Sequence, residues 1–231
     1  MPTERVAESR SVLGIPGRRL LIAMLVIFAL AVIPAVFVPT LLCRQPDPVL
    51  DDIGVVPAFS LVDETGQTFT EEALRGHPTV VDFVFTRCDA ICPALSFRMQ
   101  RLQERTGDRK GSNIKLVSVT VDPDYDTPAR LAEYATRYQA DPTRWRFLTG
   151  PKDQVTSLVT KTFMIAMDRD GNTKSGAPNI AHQGYFILVD GDLHIRGVYD
   201  SNDEKRLEEL SRAARFLART GSDHSYKFGG P

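Results

Sequence analysis

The chain has 231 residues, 42% of them hydrophobic and 25% charged, with a formal net charge of −1; that is room for one ordinary core and an additional segment. A balance so close to neutral leaves no electrostatic footprint for a nucleic acid and argues against that class of partner. Three cysteines are too few for a disulfide scaffold, and their odd number leaves at least one without a partner inside the chain.

Residues 1–19 are polar and carry Arg5, Arg10, Arg18 and Arg19 against Glu4 and Glu8. Residues 20–43 contain no charged side chain. At about 1.5 Å per residue a helix of that length covers a hydrocarbon core of about 30 Å, so a transmembrane anchor is expected here. A cleaved signal peptide has an apolar core of only about 7–15 residues followed by small residues, whereas this run ends in Leu41-Leu42. The arginines ahead of the span should stay cytoplasmic, which sends everything after Cys43 to the outer face, in a bacterial chain the periplasm. Leu42 does not suit a lipid-attachment site at Cys43, which reads as a membrane-exit residue. Residues 44–56, with Pro46, Pro48, Asp47, Asp51 and Asp52, read as a linker.

The domain is expected over 57–219. It opens on a hairpin, 59–62 and 67–70, turning at Glu64-Thr65-Gly66. A buried strand follows at 79–85, then a helix at 93–105 with Pro93 near its start, and a second buried strand at 115–121. Strand, helix and parallel strand imply a right-handed crossover. Asp126 or Thr127 is expected to cap a helix that starts at Pro128 and runs to 139. Next come a short strand at 145–148 and a helix at 152–162, then a Gly/Asn/Pro-rich excursion over 164–184. Strands at 185–189 and 194–199 form a hairpin around Asp190-Gly191-Asp192, a helix covers 203–219, and 220–231 read as a flexible tail.

The chemistry concentrates at Cys88 and Cys92, where the first buried strand gives way to a helix. Spacing of i and i+4 places both sulfurs on one side, able to approach a single ion. A helix N-terminus favours negative charge, so both thiols are expected to deprotonate more readily than a free cysteine. Two thiolates with an imidazole suit Cu(I) or zinc. The candidate imidazoles are His77, His182, His194 and His224. His77 precedes the strand at the end opposite the cysteines, His194 lies in the last hairpin and His224 in the tail. His182, in the excursion that leads into a core strand, can be carried to the cysteine end.

Four segments carry a family resemblance: Phe85-Thr86-Arg87-Cys88 through Cys92-Pro93; Ser118-Val119-Thr120-Val121-Asp122-Pro123 with Asp126-Thr127-Pro128; Phe147-Leu148-Thr149-Gly150; and a histidine before Tyr185-Phe186-Ile187-Leu188-Val189-Asp190. From about residue 57 to 219 the chain resembles the SCO/SenC/PrrC family of membrane-anchored copper chaperones. The resemblance implies an α/β, thioredoxin-like fold, a central mixed sheet flanked by helices with an N-terminal β-hairpin. It implies copper as the ion, Cys88, Cys92 and His182 as its ligands, and delivery to the CuA centre of cytochrome c oxidase subunit II, with other periplasmic copper chaperones as partners. Asp89 stands where family members often have proline, and Ala181-His182-Gln183 where they often have Asp-His-Ser.

Two other readings use the same thiols. A thiol-disulfide oxidoreductase keeping the CuA cysteines reduced needs Cys88 and Cys92 as redox-active residues but not His182. The three-residue spacer, and a residue other than proline before Tyr185, set it apart from thioredoxins. A copper or redox sensor is the third class. A peroxidase fits least, because one residue rather than two separates Thr86 from Cys88. The Asp122-Pro123 run with Asp126 reads first as a capping turn, and after that as a docking element.

Overall fold

The computed structural model describes residues 17–42, 47–88, 91–107, 113–162 and 184–221. The chain divides into two units, residues 1–46 and 47–231. In the first, α1 (Gly17–Leu42) is a helix of 26 residues, about 39 Å long. Leu20, Leu21, Ile27, Phe28 and Leu30 turn their side chains outward from it. Side chains on α1 are described for 19–35 only, and among the described residues no helix is long and apolar enough to cross a membrane. Cys43 lies outside the described residues.

The second unit is an α/β domain built on one eight-stranded mixed sheet. Its strands are β1 (Gly54–Val55), β2 (Ser60–Asp63), β3 (Thr68–Thr70), β4 (Thr79–Val84), β5 (Lys115–Thr120), β6 (Trp145–Thr149), β7 (Tyr185–Val189) and β8 (His194–Asp200), in the order β1-β8-β7-β4-β5-β6-β2-β3. The helices are α2 (Cys92–Arg105), α3 (Pro128–Arg137), α4 (Lys152–Ser157) and α5 (Glu204–Thr220).

β4 is Thr-Val-Val-Asp-Phe-Val and β5 is Lys-Leu-Val-Ser-Val-Thr, continuous β-branched and apolar runs that suit a sheet covered on both faces. They pair in parallel from Thr79 opposite Lys115 to Val84 opposite Thr120, with α2 as the crossover. β5 and β6 are also parallel, joined through α3. β7 returns antiparallel on the other side of β4, so β4 is central and its carboxyl end opens between β5 and the start of β7. The bulkiest wholly buried side chains, Trp145, Phe147, Phe186 and Met99, come from this sheet and from α2.

The elements follow the expected order, with two differences. Residues 51–56, read as the end of a linker, run along β8. Gly54 stands opposite Ile195, the amides of Asp51 and Ile53 donate to the carbonyls of Arg196 and Ile195, and Val56 is buried. Edge pairing of this kind is set by β8, about 140 residues away, and leaves no local pattern. The helix expected over 152–162 is α-helical to Ser157 and a π-helical turn from Leu158 to Thr162, where Thr160 Oγ1 donates back to the Thr156 carbonyl. Of the two residues expected to cap α3, Thr127 does so, accepting from the Arg130 amide at 3.4 Å.

Candidate metal centre

The turn after β4 carries Cys88 and the first position of α2 carries Cys92. The Cys88 amide donates to the Phe85 carbonyl at 3.2 Å, a turn that ends β4. Cys92 is the first residue of α2 and Pro93 follows it at a position where a missing N–H goes unnoticed. The residue before the helix, Ile91, offers no capping side chain. The Cys92 amide, one of the helix's unpaired N-terminal donors, is taken instead by Cys88 Sγ at 3.4 Å. The sulfurs therefore converge, though not as neighbours on one helical face: Cys88 sits in the turn and Cys92 in the helix.

Both residues are thiols, Cys88 half-buried and Cys92 3% exposed. The expectation that both would deprotonate easily fails at Cys92. Its hydrogen bond with Cys88, its burial and the neighbouring charge of Cys88 all push the thiol well above its ordinary value, against a smaller opposing effect of the Phe85 backbone. The helix terminus spends its first amide on Cys88, while apolar packing keeps Cys92 from solvent.

The Cys88 turn is fastened from the other side by the turn after β5. Asp126 is wholly buried and accepts from the Thr86 amide at 3.1 Å, from Thr86 Oγ1 at 2.5 Å and from Thr120 Oγ1 at 2.5 Å. Burial raises the Asp126 pKa, and these hydrogen bonds offset part of the rise. Arg87 Nε pairs with Asp122 at 2.6 Å, and the Arg87 guanidinium lies 4.5 Å from the centre of the Tyr125 ring, which Arg130 covers at 3.8 Å. Below the thiols Asp82, on β4, is fully buried and burial pushes its carboxyl up to about 7. Ser118 opposite it on β5 pulls the other way, but neither carboxyl oxygen has a partner at hydrogen-bond geometry.

Two histidines are placed away from the thiols. His77 precedes β4 at its opposite end, and His194 Nδ1 pairs with Asp52 at 3.0 Å where β8 begins. His182, His224 and Asp89 lie outside the described residues, and among the described residues no group of three His, Cys, Asp or Glu side chains could hold a metal ion. Gly184 is described, however, and it lies against the thiol loop. A Cβ added to it would stand 3.0 Å from Ile91 Cδ1 and 2.7 Å from Ser201 Oγ. The position two residues after His182 thus abuts the residue just before Cys92. Ile91, Gly184 and the Asp126 tie were not anticipated. The Asp122 to Asp126 run stood out in the sequence, but its link to Thr86 crosses 40 residues.

The SCO1/SenC family model matches residues 50–216. The chain belongs to the SCO1/SenC family. Among its relatives is the SCO1 homologue of Bacillus subtilis, 29% identical over 156 residues, which are 67% of this chain and 78% of that protein. The solved SCO1/SenC family lipoprotein of Bacillus anthracis superposes with a TM-score of 0.62 at 26% identity, over 76% of this chain and 98% of that one. Yeast Sco1, solved with copper bound, gives a TM-score of 0.57 at 25% identity, over 68% of this chain and 86% of that one. In this family member the matched region begins at residue 50, so it takes in the segment that pairs with β8.

Proposed function

We propose that this chain is a membrane-anchored copper chaperone that holds one copper ion on Cys88, Cys92 and His182 and delivers it to the CuA centre of cytochrome c oxidase subunit II. The observation that carries the reading is the approach of Cys88 Sγ to the Cys92 amide, next to Ile91, against which Gly184 packs. Two soft sulfur donors and an imidazole match Cu(I). Copper bound to yeast Sco1 is in keeping with the same cargo here.

Copper enters as substrate. Binding displaces the proton that Cys92 holds so firmly, so uptake releases protons and weakens as the pH falls. Release to the acceptor is an exchange of thiolates, one protein sulfur leaving as an acceptor sulfur arrives, with the half-buried Cys88 as the accessible partner. The uncharged span 20–43 would anchor the chain in the inner membrane with residues 1–19 cytoplasmic and the domain periplasmic. Tethering beside a membrane-bound acceptor raises the effective concentration and replaces intrinsic affinity. Other periplasmic copper chaperones would supply the ion.

Cu(I) titration of the full chain in detergent against a competing chelator tests this. One copper per chain is expected for the wild type, none retained by Cys88→Ser or Cys92→Ser, and weaker binding by His182→Ala. An unchanged affinity in His182→Ala would remove the histidine from the site.

A further inference from the structure

We infer that Asp126 is a positioning residue for the thiol pair: by holding Thr86 it fixes the turn from which Cys88 hangs, and so sets how readily the two sulfurs meet. The inference rests on the Cys88/Cys92 pair being the working site, as in the copper reading.

Asp126 lies in the turn after β5, and its carboxylate spans two strands. On one side it receives both the backbone amide and the hydroxyl of Thr86, two residues before Cys88; on the other it receives the hydroxyl of Thr120 at the end of β5. A buried carboxylate with three donors is costly to move, because any shift leaves charge without partners. Thr86 is thereby locked to β5. The adjacent Arg87 is held to the same turn by its ion pair with Asp122 and its stacking on Tyr125. Cys88 is the next residue, and its amide closes the turn onto Phe85. Cys92 is anchored independently, at the head of α2 within the core. The position of one sulfur relative to the other thus depends on the Asp126 tie.

A loosened turn leaves more chain entropy to be lost each time the sulfurs are brought together, by an ion or by a disulfide. Releasing Thr86 should therefore weaken Cu(I) binding and shift the dithiol/disulfide equilibrium toward the dithiol. The two threonines on one carboxylate separate positioning from stability. Thr86→Val removes the hydroxyl half of the tie and leaves only the amide bond to Asp126, whereas Thr120→Val removes a bond to the same carboxylate on the strand side and leaves both Thr86 bonds in place.

The test uses the full chain in detergent, with Asp126→Asn, Thr86→Val, Thr86→Ser and Thr120→Val. Three quantities are measured: Cu(I) affinity, the reduction potential of the Cys88/Cys92 couple in metal-free protein, and the unfolding midpoint. Thr86→Val and Asp126→Asn are expected to lose about tenfold in affinity and about tenfold in the dithiol/disulfide equilibrium, equivalent to about 30 mV toward a more oxidising couple. Thr86→Ser should restore both. Thr120→Val should lower the midpoint while leaving affinity and potential within twofold. Folded Thr86→Val with an unchanged potential, or Thr120→Val moving the potential as far as Thr86→Val, overturns the inference. A wild type that binds no copper, alongside variants that show the expected shift in potential, overturns the copper reading and supports the positioning role.

Discussion

Gly184 lies flush against Ile91, with room for no side chain between them: a Cβ there would stand 3.0 Å from Ile91 Cδ1. The same carbon would be 2.7 Å from Ser201 Oγ, whose amide donates to the Gly184 carbonyl at 2.8 Å. The contact sets the start of β7 against the residue that leads into α2.

Gly184→Ala should therefore be destabilising, by about 1–3 kcal/mol as for other over-packed positions. Urea unfolding at fixed pH measures it. Because part of the strain falls on Ile91 and the rest on Ser201, Cu(I) affinity should drop along with stability. A variant as stable as the wild type would mean that the two segments are not in contact.

The thiols should differ in reactivity. Cys88 is half-buried and Cys92 is buried with its thiol pushed up by Cys88 and by burial. Iodoacetamide at pH 8, followed by peptide mass spectrometry, should label Cys88 at least tenfold faster. Equal rates would contradict the packing of Cys92.

Asp82 makes a pH dependence of definite sign. Unfolded, its carboxyl titrates near 3.8; folded, burial raises it to about 7. Between those values the folded chain holds a proton that the unfolded chain has lost, so this contribution to stability is complete below 3.8 and disappears as the pH rises through 7. The loss amounts to about 4 kcal/mol. Asp63 and Asp141, whose hydrogen bonds hold their carboxyls below the usual range despite some burial of Asp63, run the opposite way. The quantity to measure is therefore wild type minus Asp82→Asn, by urea unfolding from pH 4 to 8. The difference should move in favour of the variant as the pH rises, and a flat difference would show that Asp82 ionises normally.

Arg196 and Asp190 form a buried ion pair at 2.7 Å at the end of the sheet away from the thiols. Asp190 also receives the amides of Asp192 and His194, closing the β7–β8 turn. Arg196→Ala should cost about 3 kcal/mol or more, since it strands a buried carboxylate. Adding Asp190→Asn should cost less than the sum of the two single changes, with copper binding unaffected. Additive costs would show that the two residues do not interact.

The sequence by itself determined the order of the elements, because continuous apolar runs at 79–85 and 115–121 and the capped, proline-opened helices are local patterns that tertiary packing reinforces. It also marked the thiol pair, since cysteines at a strand-to-helix junction stand out without knowledge of any partner. Tertiary structure decided the rest. The asymmetry between the thiols follows from which sulfur meets the Cys92 amide and which enters the core. Asp126 reads locally as a cap and becomes a tie to Thr86 only when β5 lies beside β4. The 51–56 segment reads as linker until β8 offers it an edge. In the last two cases the deciding contact joins residues far apart in the chain, and in the first it is burial in the core that separates the thiols; hydrogen-bond geometry and desolvation act on distance in space, which spacing in sequence does not encode.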